Sequence, residues 1–216
     1  MKFESDGILI RLRPFGERDC VGTIFSRGYG VVSGMVRGAA TTKKNRPMVG
    51  QLGNMIWMAR LDSQLGSIHW DSQMNMAVKL LCAPESLRYF NSMIDLIANL
   101  LPEREAYTSL YDYTLDILRK NILGANTYLG WEIVLLRELG YAIDLSHCSG
   151  CGAVQNLHYL SPRTCRAVCD TCAQPYLTKL YKLPITLDTT YRLLDSVCMQ
   201  QGIQMPQMRK LIQNIF

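Results

Sequence analysis

Gly7-Ile-Leu-Ile-Arg-Leu-Arg13 decides how the first third of this chain is read. Ile8, Ile10 and Leu12 alternate with Leu9, Arg11 and Arg13, the two-residue period of a strand with one buried face. Pro14-Phe15-Gly16 breaks the run. Four more β segments follow, at Cys20–Phe25, Tyr29–Val36, Met55–Leu61 and Gly66–Trp70, with Gly28, Gly30, Gly34, Gly38, Gly50 and Gly53 as punctuation. Five short strands separated by glycine-rich turns predict a small closed barrel of the OB type over residues 1–73.

One segment interrupts that pattern. Arg37-Gly-Ala-Ala-Thr-Thr-Lys-Lys-Asn-Arg-Pro47 has no large apolar residue, but it carries Arg37, Lys43, Lys44 and Arg46. With nothing to bury, it reads as an exposed, mobile basic loop between strands three and four. Barrels of this type hold single-stranded nucleic acid through a basic groove and aromatic stacking. Tyr29, Trp57 and Trp70 are candidate platforms, although rings of that size also serve as barrel core.

From about residue 73 the apolar period becomes helical. Pro84-Glu85-Ser86 opens a helix whose stripe is Leu87, Phe90, Ile94, Ile97 and Leu101, and Pro102-Glu-Arg-Glu105 ends it. Helices over 107–122 and 125–139 follow, the latter stopped by Gly140. Residues 187–215 predict two more, divided by Pro206. Residues 74–145 with 177–216 therefore read as a helical bundle domain.

Between these helices lie Cys148-Ser-Gly-Cys151 and Cys169-Asp-Thr-Cys172, with seventeen residues between the pairs. That is the spacing of a structural Zn²⁺ site, in which each tight knuckle presents two thiolates to one tetrahedral ion. Cys148, Cys151, Cys169 and Cys172 are the expected ligands in a module over 146–176. Cys165 is a spare fifth thiol, and His147 and His158 are alternative donors. One zinc per chain held by four thiolates has no open position for water, so its role would be structural.

Charge is unevenly spread. Residues 1–80 carry 11 Lys and Arg against 6 Asp and Glu, residues 81–147 carry 5 against 9, and residues 148–216 carry 7 against 3. A basic start, acidic middle and basic end imply separate surfaces, and basic segments attract phosphate backbones by releasing counterions. No run of eighteen apolar residues suggests a membrane span. The opening MKFESDGILIRLR has no signal-peptide pattern, which favours a reducing cytoplasm where paired cysteines bind metal. No Walker A loop, GxSxG, GxGxxG or HExxH motif occurs, so no catalytic constellation is expected.

Barrel, basic loop, helices and a late four-cysteine module together resemble the RecO family of bacterial DNA repair proteins, in its alphaproteobacterial form. The likeness spans nearly the whole chain. Gly7-Ile-Leu-Ile-Arg-Leu-Arg-Pro-Phe-Gly-Glu17 resembles the family's opening strand and "RP-x-x-E" turn, and Val36-Arg-Gly-Ala39 its "KGAR" segment. Trp57-Met-Ala-Arg-Leu-Asp62, Leu101-Pro-Glu-Arg-Glu105, Trp131-Glu-Ile-Val-Leu-Leu-Arg-Glu-Leu-Gly140, Tyr159-Leu-Ser-Pro162 and Ala167-Val-Cys169 continue it in order.

The resemblance implies an α+β recombination mediator without catalytic activity, cytoplasmic and nucleoid-associated. It would bind single- and double-stranded DNA and anneal complementary strands. With RecR it would help load RecA onto DNA covered by single-strand-binding protein, whose C-terminal tail it would also bind; no membrane or small-molecule substrate is implied. By position, Arg37, Lys43, Lys44 and Arg46 become DNA contacts, joined from the barrel surface by Arg11, Arg13 and Arg60. The family's basic residue before the Trp131 helix is replaced by Leu129-Gly130. Two rival readings are a zinc-stabilised protein-interaction scaffold and a zinc-dependent nucleic-acid enzyme. The second would need an exchangeable ligand and a nearby Glu, and the knuckles contain only Asp170.

Overall fold

The computed structural model describes residues 1–41, 46–61, 65–80, 83–120 and 123–213. The fold is α+β. Five strands, β1 (Lys2–Phe15), β2 (Asp19–Ser26), β3 (Gly30–Val36), β4 (Gln51–Met58) and β5 (Gly66–Asn75), close into a barrel of order β1-β2-β3-β5-β4. Every pairing is antiparallel except β3 with β5. β1 closes the barrel because it serves two neighbours. Its first half pairs with β4, and an irregularity between Leu9 and Arg11 turns its second half along β2. Leu9, Ile24, Val32, Met55, Trp57 and Ile68 fill the interior.

β4 runs over 51–58, four residues earlier than the expected 55–61 at its start. Gln51 and Leu52 pair with Asn75 and Met74, which draws the strand back through Gly53. A Cβ on Gly53 would lie 2.2 Å from the Asp71 carbonyl oxygen, so the bare backbone is what lets β4 and β5 approach. Pairing stops after Met58, where the terminal ammonium of Met1 donates to the Ala59 carbonyl at 2.6 Å. Arg60 and Leu61 consequently lie beyond the strand.

β5 likewise runs past residue 73 to Asn75, whose side-chain oxygen accepts the Val78 N–H at 3.3 Å and starts α1 (Met76–Leu80). α2 (Pro84–Leu100) begins with Pro in its first turn and buries Phe90, Ile94 and Ile97. α3 (Thr108–Lys120) follows. The connection between α2 and α3 is pinned to the barrel. The Arg104 N–H donates to the Val31 carbonyl at 2.9 Å, and the Ser33 hydroxyl donates to Glu103 Oε1 at 2.6 Å. Glu103, although exposed, is therefore a barrel contact.

The chain divides into two compact units, the first being residues 1–124 with 206–212 and the second centred on 125–205. In the second, α4 (Ala125–Glu138) packs against α6 (Leu187–Gln200), and buried Glu132 accepts the Thr190 hydroxyl at 2.5 Å. α4 ends as its sequence predicts. Gly140 has φ +89°, its N–H donates to Arg137 at 3.0 Å, and the Tyr141 N–H reaches back to Leu136 at 2.8 Å. Between α4 and α6 lie β6 (Leu157–Ser161), β7 (Arg166–Cys169), the short α5 (Asp170–Ala173), a 3₁₀ turn (Gln174–Lys179) and β8 (Tyr181–Lys182), with sheet order β7-β6-β8. Pro206 precedes α7 (Gln207–Gln213), as expected. No helix among the described residues is long and apolar enough to cross a membrane.

Candidate nucleic-acid interface and metal centre

The strand pairings bring two of the expected cations to one end of the barrel. Cys20 lies opposite Val36, Met35 opposite Ser67, and Met58 opposite Ser67, so the start of β2, the end of β3, the end of β4 and the start of β5 meet there. A depression of about 740 Å³ opens at this point, lined by Asp19, Met35, Arg37, Met58, Arg60 and Leu65 among others. A second, of about 490 Å³, shares Arg37, Met58 and Ser67 and extends to His69 and Trp70. Arg37 and Arg60 are exposed and point charge at the same groove. Asp19 offsets part of it, but its carboxylate accepts the Gly38 N–H at 2.8 Å.

The other expected contacts are distributed differently. Arg13 is exposed on the second half of β1, and Arg46 is exposed just before the Pro47 turn, where its carbonyl accepts from Gln51 Nε2 at 3.3 Å. Lys43 and Lys44 lie outside the described residues. Arg11 has a different commitment: it is half-buried with Asp95 of α2 at 3.6 Å, and burial together with the Arg13 charge pulls its pKa down. Its side chain is tied to the barrel–helix contact.

The three aromatic candidates are largely consumed by the barrel. Trp57 is fully buried and donates its Nε1–H to the Ser33 carbonyl at 3.2 Å. Its ring stacks on Phe3 at 5.0 Å, Phe3 stacks on Tyr29 at 4.0 Å, and the Arg104 guanidinium sits 4.3 Å from the Trp57 ring centre. Trp70 is half-buried, with its Nε1–H on Gln51 Oε1 at 3.2 Å. Reading by residue type alone cannot separate these rings from surface platforms. It also passes over Phe15 and Arg18, whose signal is position: Phe15 enters and Arg18 ends the Gly-containing turn between β1 and β2.

The four thiols of the knuckles converge. The sulfurs of Cys148, Cys151, Cys169 and Cys172 all lie within 4.8 Å of one another, and Cys165 is not among them. Each knuckle is shaped locally. The Cys148 N–H donates to Ala153 at 2.7 Å and the Gly152 N–H returns to the Cys148 carbonyl at 2.9 Å, with Gly152 at φ +77°. Cys169 ends β7, and Cys172 follows in α5. Val168, Ala173, Leu157, Tyr159 and Leu180 pack around the cluster.

The donor set fits a soft dication. The Cys169 N–H, at 3.3 Å from the Cys148 sulfur, leads the backbone donors that pull the Cys148 thiol down to about 6. Cys172, crowded first by the Cys151 thiol and then by those of Cys169 and Cys148, is pushed up to about 12. Four thiols gathered this closely suit a shared soft cation, which neutralises thiolates that would otherwise repel one another. Cys165 is buried in a left-handed conformation at φ +54°, and its thiol is pushed up by that burial.

Comparison with known proteins matches the sequence to one family over both units. Residues 1–71 match the family model described as Recombination protein O N terminal, and residues 83–212 the model described as Recombination protein O C terminal. A protein named DNA repair protein RecO from Granulibacter bethesdensis is 36% identical over 194 residues, covering 87% of this chain and 77% of its own. Proteins of the same name from Ruegeria and Orientia tsutsugamushi are 35% and 30% identical, each covering 85% of this chain and 78% of their own. The chain belongs to the RecO family of DNA repair and recombination proteins.

Proposed function

We propose that this protein is a DNA-binding recombination mediator that acts by charge neutralisation rather than bond chemistry. The observation that carries the reading is the pair Arg37 and Arg60 on one groove at the barrel end from which the basic segment 37–46 departs. Phosphates are neutralised by such cations, counterions leave, and two like-charged strands can then approach. Annealing complementary strands needs that neutralisation and base contacts weak enough to release the bases for pairing.

Arg37, Lys43, Lys44 and Arg46 are the proposed principal contacts, with Arg13 and Arg60 beside them. Arg11 contributes through the local field, since its side chain holds Asp95. A structural zinc on Cys148, Cys151, Cys169 and Cys172 would neutralise the thiolates and fix the second unit; with four protein ligands it would activate no water. Membership of the RecO family supports the wider reading: cytoplasmic action, cooperation with RecR in loading RecA, and docking of the single-strand-binding protein's tail.

The test is annealing of complementary oligonucleotides by the full chain. Lys43→Glu with Lys44→Glu should slow annealing severalfold at low salt and little at high salt. Equal rates for both proteins at every salt concentration would remove the basic loop from the function.

A further inference from the structure

Phe15 is 56% exposed against 38% for Tyr29, and no ring contact holds it among the described residues. A lone exposed apolar side chain is common on a folded protein; what distinguishes Phe15, at the end of β1, is what surrounds it. Its surroundings are those of a nucleic-acid contact.

Phe15 closes the hairpin of β1 and β2, pairing with Asp19 across the turn Gly16–Arg18. Arg13 is two residues earlier on the same strand face, and Arg13, Phe15 and Arg18 are all exposed. The tip is fastened to the start of the basic loop. The Arg18 carbonyl accepts the Ala40 N–H at 3.0 Å, and Asp19 Oδ1 accepts the Gly38 N–H at 2.8 Å. This places Phe15 beside the chain segment that leads from Arg37 into Lys43, Lys44 and Arg46. Glu17 and Asp19 each bring an opposing charge to the tip, and Asp19 keeps its charge while accepting from Gly38.

We propose that Phe15 is the base-stacking platform of this barrel, with Arg18 as a further phosphate contact, for single-stranded nucleic acid. The proposal rests on the DNA-binding reading above and assigns its non-ionic part. A ring accepts any base, and its contribution does not depend on counterion release. Phe3 stacks on both Tyr29 and Trp57, whereas Phe15 has no ring contact among the described residues. A double-stranded ligand has no unstacked base to offer, so Phe15 should matter little for duplex binding.

The experiment compares oligo(dT) with an abasic oligomer of equal length, each titrated across a salt series against the full-length protein. Phe15→Ala should weaken oligo(dT) binding about tenfold while leaving its salt slope and the abasic affinity unchanged. Phe15→Trp should keep affinity and gain fluorescence quenching on adding oligo(dT), a readout that a folding defect would not produce. If Phe15→Ala binds oligo(dT) as well as the parent, or if the parent does not distinguish abasic from base-bearing strands, the platform assignment is overturned while DNA binding stands. If the parent binds neither oligomer, the DNA-binding reading itself fails and the assignment with it.

Discussion

The Cys151 and Cys169 sulfurs lie 3.7 Å apart although the two residues belong to different knuckles. A tetrahedral zinc with bonds of about 2.3 Å sets its sulfurs about 3.8 Å apart, so this is one edge of the tetrahedron already formed across the module. Metal affinity in such a site is folding free energy. Cys169→Ser should therefore lose its zinc and melt at lower temperature, measured by metal quantification and thermal denaturation. Cys165→Ser should keep its zinc, and equal metal loss in both variants would contradict the four-thiol assignment.

A second prediction concerns the close approach of the α2–α3 connection to β3. Gly30 has φ +63°, and a Cβ there would lie 1.7 Å from the Glu105 carbonyl oxygen. Gly16 has φ +65° with nothing within 4 Å. Gly30→Ala should cost roughly 3 kcal/mol, combining left-handed strain with a backbone clash, whereas Gly16→Ala should cost about 1 kcal/mol from strain alone. Denaturant titration of both variants checks the ranking.

Arg104 has φ +63°, and its guanidinium lies over the fully buried Trp57 ring. It closes the stack of rings on the barrel, and a partly desolvated contact of this kind contributes about 1 kcal/mol. Arg104→Ala should lower stability by at least that much and leave single-strand affinity nearly unchanged. A large loss of affinity with unchanged stability would instead make Arg104 a DNA contact.

The Arg27–Asp112 pair predicts a pH dependence. Arg27 Nε and Nη2 donate to the two Asp112 oxygens at 2.8 and 2.9 Å, linking the end of β2 to α3 and holding the Asp112 pKa below its ordinary 3.8. A carboxylate with a depressed folded-state pKa contributes stability that is complete above its unfolded value and lost as pH falls through the folded one. Both side chains are about half exposed, so the effect is small. Asp112→Asn should melt slightly lower than the parent at pH 7, and the difference should shrink as pH falls below about 4.

Much of this was readable from residues. The stripe of α2, the Gly140 stop and the paired knuckles are local patterns, and each appears where its period or turn chemistry places it; the alternation in β1 does not yield one buried face, because Ile8, Leu9 and Ile10 are all buried and it is Leu9 that enters the barrel interior. The misplacements come from tertiary pairing. β4 starts at Gln51 because β5 reaches Asn75, and no local period shows that. Arg11 looked like any other strand-surface cation until Asp95 of α2 came to meet it, and Trp57 became core because Phe3 and Arg104 cover it. The same logic hid Phe15, since exposure depends on what the rest of the chain leaves uncovered.

The central claim is that the barrel end binds single strands through the charge of its groove. The most direct measurement is the slope of log affinity against log salt for an oligo(dT) strand, with the parent protein and with Arg37→Ala plus Arg60→Ala. Each lost phosphate contact on single-stranded DNA lowers the slope by about 0.7, so the double variant should bind more weakly with a slope shallower by about 1.4. An unchanged affinity and slope would contradict the claim and place the DNA elsewhere on the protein.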